Sequence, residues 1–100
     1  MDMRALMQQA QRMQAEMEKQ QKALEAKEFE INSAGGGIKV VIGGNKEIKS
    51  IDIDKEIIDP DDKEMLQDMI VVAINEAIGK VLEEEQKIVA KQQANMRMPF

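Results

Sequence analysis

This 100-residue chain contains no cysteine, histidine, tryptophan or tyrosine, and only two phenylalanines and two prolines. Without cysteine there is no disulfide, no thiolate nucleophile and no thiolate metal site. Without histidine, the commonest general base and metal ligand is missing. With aromatics limited to Phe29 and Phe100, the chain has no platform on which unpaired bases could stack, which argues against single-strand recognition of the RRM or OB type. There is no charged-then-apolar leader pattern and no apolar run near ~18 residues. These features lead us to expect a soluble, cytoplasmic chain with no membrane partner, cofactor, metal or small-molecule substrate, and no enzymatic activity.

What is present is Ile, Val, Leu, Met and Ala in two periodicities. The middle third, Ser33 to Asp54, reads SAGGGIKVVIGGNKEIKSIDID. Ala34-Gly35-Gly36-Gly37 and Gly43-Gly44-Asn45 supply residues that tolerate positive φ, where a chain reverses tightly. Ile38–Ile42 and Ile48–Ile53 read as β-branched strands, and Phe29 and Ile31 alternate with Glu28, Glu30 and Asn32 as a third. Ile48 has the opposite parity to Ile51 and Ile53, which calls for a bulge near Lys49-Ser50 or burial of both faces.

Helical patterns flank this meander. Met3, Leu6, Ala10, Met13, Met17, Gln20 and Leu24 recur at spacings of three and four, a heptad seam that suits an interchain contact or packing on the chain's own sheet. Asp59 and Pro60 read as N-cap and first turn of a second helix, with Asp61, Asp62 and Glu64 complementing its dipole. This helix is apolar around most of its girth, so it needs two surfaces to bury against. One is the sheet. A symmetry-related chain is the expected second, with Leu66, Ile70, Ala73, Ile74, Ala77, Ile78 and Val81 at the interface. The expected layout is a single α+β domain over 1–100. It has a helix about 2–26, strands about 27–33, 37–43 and 46–54, a helix about 60–92 and a short tail 93–100.

The run SAGGGIKVVIGGNKEIKSIDID, continued by Ile57-Ile58-Asp59-Pro60-Asp61-Asp62-Lys63-Glu64-Met65-Leu66, resembles the YbaB/EbfC family of small bacterial nucleoid-associated proteins. Met3–Gln14 is similar to that family's first helix, and Val72–Ala77 to its second. The resemblance covers roughly residues 3–90 in unbroken order. It implies an α-β-β-β-α fold, an intertwined homodimer, and a non-enzymatic protein that binds double-stranded DNA in the nucleoid, alters its conformation and affects gene expression.

Other chemistry fits poorly. Gly35-Gly36-Gly37 lacks the GxxxxGK[ST] and GxGxxG patterns and precedes a strand, so it reads as a hairpin. Asp52, Asp54, Asp59, Asp61 and Asp62 lack EF-hand spacing and read as solvated strand and capping positions. Most methionines fall at helical core spacing. The net charge of −5 opposes DNA binding globally, but the acid excess lies in 59–100, with nine acidic against five basic residues. Residues 1–26 balance four against four. Composition alone would class the basic residues as ordinary solvated helix faces. The family resemblance instead implies that Arg4, Arg12, Lys19, Lys22, Lys87, Lys91 and Arg97, on protruding helix ends, contact phosphates for position more than for sequence. The competing expectation is a protein-interaction adaptor whose heptad helices bind a partner helix without DNA.

Overall fold

The computed structural model describes residues 2–96, with side chains described up to Ala94; Arg97, expected above as a DNA contact, lies outside them. Helix α1 spans Met3–Glu25, strands β1, β2 and β3 span Glu28–Ser33, Ile38–Gly43 and Ile48–Ile53, and helix α2 spans Lys63–Met96. Short 3-10 turns at Ala34–Gly36 and Lys55–Ile57 complete the α-β-β-β-α order. The three strands form one antiparallel meander in the order β1-β2-β3.

The core follows from the period-2 pattern of β2. Ile38, Val40 and Ile42 are fully buried, and each meets an apolar neighbour across the ladder: Ile31 and Ile51 flank Val40, Phe29 and Ile48 flank Ile42. The ladder shifts register between Val41 and Ile42, where Ser50 and Ile48 are consecutive partners and Lys49 is the extra residue. That bulge corrects the parity of Ile48 and brings it to the face of Ile51 and Ile53, because one inserted residue flips every side chain beyond it. The opposite face carries Glu28, Glu30, Lys39 and Asp52 and is solvated.

Helix α2 crosses the apolar face over β1 and β2. Ala73, Ala77 and Val81, at spacings of four, are fully buried there, since small residues let the helix approach the sheet closely. The helix begins three residues later than its sequence signals suggest. Asp59 instead closes a turn, accepting from the Asp61 backbone N–H at 2.9 Å. The carboxylate of Asp62 accepts from the backbone N–H of Met65 at 3.2 Å, as an N-cap does.

Two reversals hold the meander in place. In the first, Ala34, Gly35 and Gly36 have φ of 53°, 65° and 93°, and a side chain at Gly36 would strain the backbone. In the second, the left-handed residue is Lys46 (φ 70°) rather than a glycine. Gly44 serves a different need: a Cβ there would lie 1.8 Å from the Leu24 carbonyl oxygen. Its N–H donates to the Lys27 carbonyl at 2.9 Å, so the hairpin tip sits directly on the α1–β1 junction. Lys46 Nζ reaches Glu85 of α2 at 3.1 Å, tying that tip to both helices.

The helices then leave the sheet behind. At about 1.5 Å per residue, the 23 residues of α1 and 34 of α2 run roughly 34 and 51 Å. The Cα radius of gyration is 19.8 Å and the longest dimension 70 Å, against about 13 Å of gyration radius for a compact chain of this length. Leu24 is buried and Met13, Met17 and Gln20 are half-buried at the α1–α2 contact, whereas Met3, Leu6 and Ala10 are exposed. The heptad seam is thus used within the chain along its C-terminal half only.

Candidate nucleic-acid interface

Helix geometry sorts the charges of α1. At about 100° per residue, Arg4, Arg12, Lys19 and Lys22 fall within an arc of roughly 80°, while Met13, Met17 and Leu24 lie on the opposite side. All four cations are exposed. The seam that packs on α2 therefore turns the four cations outward.

Ion pairing separates the basic residues into two groups. Every lysine of the sheet and its hairpin is matched: Lys39 with Glu30 at 3.6 Å, Lys46 with Glu85 at 3.1 Å, Lys49 with Glu47 at 3.3 Å. Lys49 and Asn45 both hydrogen-bond the Glu47 carboxylate and hold it below its ordinary pKa. On α2, Glu84 takes Lys80 at 3.3 Å and Lys87 at 3.1 Å. The Lys87 hydrogen bond, followed by that of Lys80, lowers the Glu84 pKa, and the same contact raises that of Lys87. By contrast Arg4, Arg12, Lys19, Lys22 and Lys91 take part in none of the ion pairs among the described residues. A cation with no carboxylate partner keeps its full field for an external anion.

The expected DNA contacts thus divide. Arg4, Arg12, Lys19, Lys22 and Lys91 are exposed and unneutralised, and Lys87 is shared with Glu84. Lys27, just past the end of α1, is a further unpaired exposed cation that the helix-based reading left out because it belongs to the turn into β1.

The expected dimer set also divides, by burial within the single chain. Ala73, Ala77 and Val81 are fully buried within one chain, so a partner has nothing to cover there; the sheet already uses them. Leu66, Ile70, Ile74 and Ile78 are half-buried on the flanks of that contact. Outside α1, the large apolar side chains left open among the described residues are Ile51, Ile58, Met65, Val71, Val72 and Leu82, from 42% exposed at Ile51 to 57% at Val71. Sequence periodicity missed them because it cannot tell which side of an all-round apolar helix meets the sheet.

Among the described residues no group of three carboxylates could hold a metal ion, because Asp54, Asp59 and Asp62 each cap a separate turn or helix. No described helix is long and apolar enough to cross a membrane.

Comparison with known proteins gives the family. The YbaB/EbfC DNA-binding family matches residues 1–96. The chain belongs to that family, which is one of DNA-binding proteins rather than enzymes. It is 46% identical over 98 residues to a nucleoid-associated protein of Alkaliphilus metalliredigens, covering 98% of this chain and 86% of the relative. It is 54% identical over 79 residues to one from Ruminiclostridium cellulolyticum, covering 79% and 69%. A Chloroflexus aurantiacus nucleoid-associated protein is 50% identical over 80 residues, 80% of each chain. The crystal structure of an uncharacterized Helicobacter pylori protein shares the fold, with a TM-score of 0.76 at 22% identity over 93% of this chain and 98% of that one.

Proposed function

We propose that this family member binds double-stranded DNA as a homodimer, alters its conformation and contributes to nucleoid organisation. The observation that carries this reading is the outward arc of four unneutralised cations on α1 in a chain whose sheet lysines are all paired. Phosphates are the natural counter-ions for such an arc, and Arg and Lys on a helix face fix position on a duplex without reading its sequence. The local charge outweighs the net −5 of the chain because interactions beyond roughly 8–10 Å are screened at physiological salt.

The dimer reading rests on apolar area. Helix α2 covers β1 and β2 and leaves Ile51 of β3 open, while Val71 and Leu82 are exposed on α2 itself. Large apolar side chains left open on both the sheet and the helix favour an interface, and a two-fold pairing covers them on both chains at once.

The test is fluorescence anisotropy of a mixed-sequence duplex across a salt series. Binding that weakens linearly in log–log form, with a slope near −0.9 per phosphate neutralised, is expected. Replacing Arg4 and Arg12 with glutamate is expected to lower affinity at low salt and flatten the slope by about two per engaged chain. No binding at low salt by an intact dimer would refute the proposal. It would favour a helical partner on the open Met3, Leu6 and Met7 seam, which is 74%, 52% and 59% exposed.

A further inference from the structure

The helix pair has two long sides, and they carry opposite charge. On one side a groove of about 300 Å³ is walled by Gln20, Ala23, Leu24 and Lys27 from the end of α1 and by Glu84, Lys87, Ile88 and Lys91 from α2. It holds three lysines against one glutamate. On the other side of the α1 seam, Gln14, Met17, Glu18, Gln21, Lys22 and Glu25 line a second depression with two glutamates against one lysine. At about 100° per residue, Gln20 and Ala23 lie on one flank of Met17 and Leu24, and Gln14, Glu18, Gln21 and Glu25 on the other. Arg12 and Lys19 lie next to the lysine-lined flank.

We infer that the lysine-lined groove between α1 and α2 seats a phosphate of the duplex backbone, and that DNA runs along this side of the helix pair. The inference rests on the DNA-binding reading and adds to it a face and a residue, Lys27, that neither helix pattern supplies. Lys27 and Lys91 enter no ion pair among the described residues, and they approach the groove from different elements, the turn after α1 and helix α2. Lys87 lies one turn before Lys91, and Glu84 binds it at 3.1 Å. That single carboxylate orients Lys87 and leaves the groove with a net positive charge. Gln20 adds an amide donor, although its Nε2 is 3.2 Å from Glu16 in this structure. A groove walled by apolar Leu24 and Ile88 strengthens the attraction, because charges beside low-dielectric walls are screened less than those on open helix. Glu18 and Glu25 repel a backbone from the opposite side, so the charge pattern selects a direction of approach.

The test compares two charge-matched double variants of the full chain by the same anisotropy salt series. Lys27→Gln/Lys91→Gln alters the groove, and Lys55→Gln/Lys63→Gln removes two unpaired cations outside it, on the turn before α2 and at its first residue. All four lysines are exposed, so both variants are expected to fold, which circular dichroism checks. The groove variant is expected to lose about tenfold or more in affinity at low salt and to flatten the slope by about two per engaged chain. The charge-matched variant is expected to keep the wild-type slope, and Glu84→Gln to bind more tightly than wild type. Equal slopes for the two double variants would overturn the groove while leaving DNA binding intact. Failure of the wild-type protein to bind any duplex would overturn the DNA-binding reading and the groove with it.

Discussion

Gly44→Ala is expected to be among the most damaging single-methyl additions in this protein. The added Cβ would fall 1.8 Å from the Leu24 carbonyl oxygen, 2.6 Å from its carbon and 3.2 Å from the Glu25 nitrogen. These are backbone atoms at the end of a helix, so no rotamer change relieves the overlap. The hairpin tip must move away by more than an ångström. That lengthens the 2.9 Å Gly44–Lys27 hydrogen bond and the 3.1 Å Lys46–Glu85 pair. The ion pair is half-exposed and adds little. Overpacking costs about 1–3 kcal/mol and the backbone hydrogen bond about 1 kcal/mol, so the expected loss is roughly 2–4 kcal/mol. For a chain of this size that is a drop in Tm on the order of 10 °C or more. Gly79→Ala is the internal reference. A Cβ at Gly79 meets nothing within 4 Å, and alanine in a helix interior gains about 0.5–1 kcal/mol over glycine, so Tm should rise by a few degrees. Thermal circular dichroism on both variants at one protein concentration checks this, since self-association shifts Tm by mass action. A Gly44→Ala protein melting within about 2 °C of wild type would refute the close approach of hairpin and helix.

Gln92 is only 5% exposed, and its Nε2 has no hydrogen-bond partner among the described residues. An unsatisfied buried amide costs about 1–3 kcal/mol, so Gln92→Met, of similar shape, should raise Tm; a fall would show that the amide is satisfied by a partner chain. Ile51→Lys and Leu82→Lys place charge on the open apolar surface of β3 and α2. Sedimentation equilibrium should return the mass of one chain for the double variant and of two for wild type. A dimeric double variant would move the interface elsewhere.

The sequence alone was enough for the order of elements, because each rests on local physics. Alternation at Phe29, Ile31, Ile38, Val40 and Ile42 makes strands. The three-and-four spacing from Met3 to Leu24 makes a helix, whereas the parity of Ile48 left a bulge and burial of both faces open until the ladder showed the bulge. The basic residues of α1 were visible too, although composition gave no reason to prefer them over the lysines of the sheet. Tertiary structure separates the two sets by ion pairing. Whether a lysine is neutralised depends on a carboxylate far away in sequence, as with Lys46 and Glu85, and no local pattern records it. The same holds for Ala73, Ala77 and Val81. Periodicity showed that α2 had apolar surface to spare, but only packing on β1 and β2 showed that these three were already used and that Ile51, Val71 and Leu82 were left open. Lys27, Lys87 and Lys91 come together for one further reason: two helices of different length run side by side from a hairpin pinned by Gly44. Local sequence sets what each segment is; the distances between segments set which charges remain free.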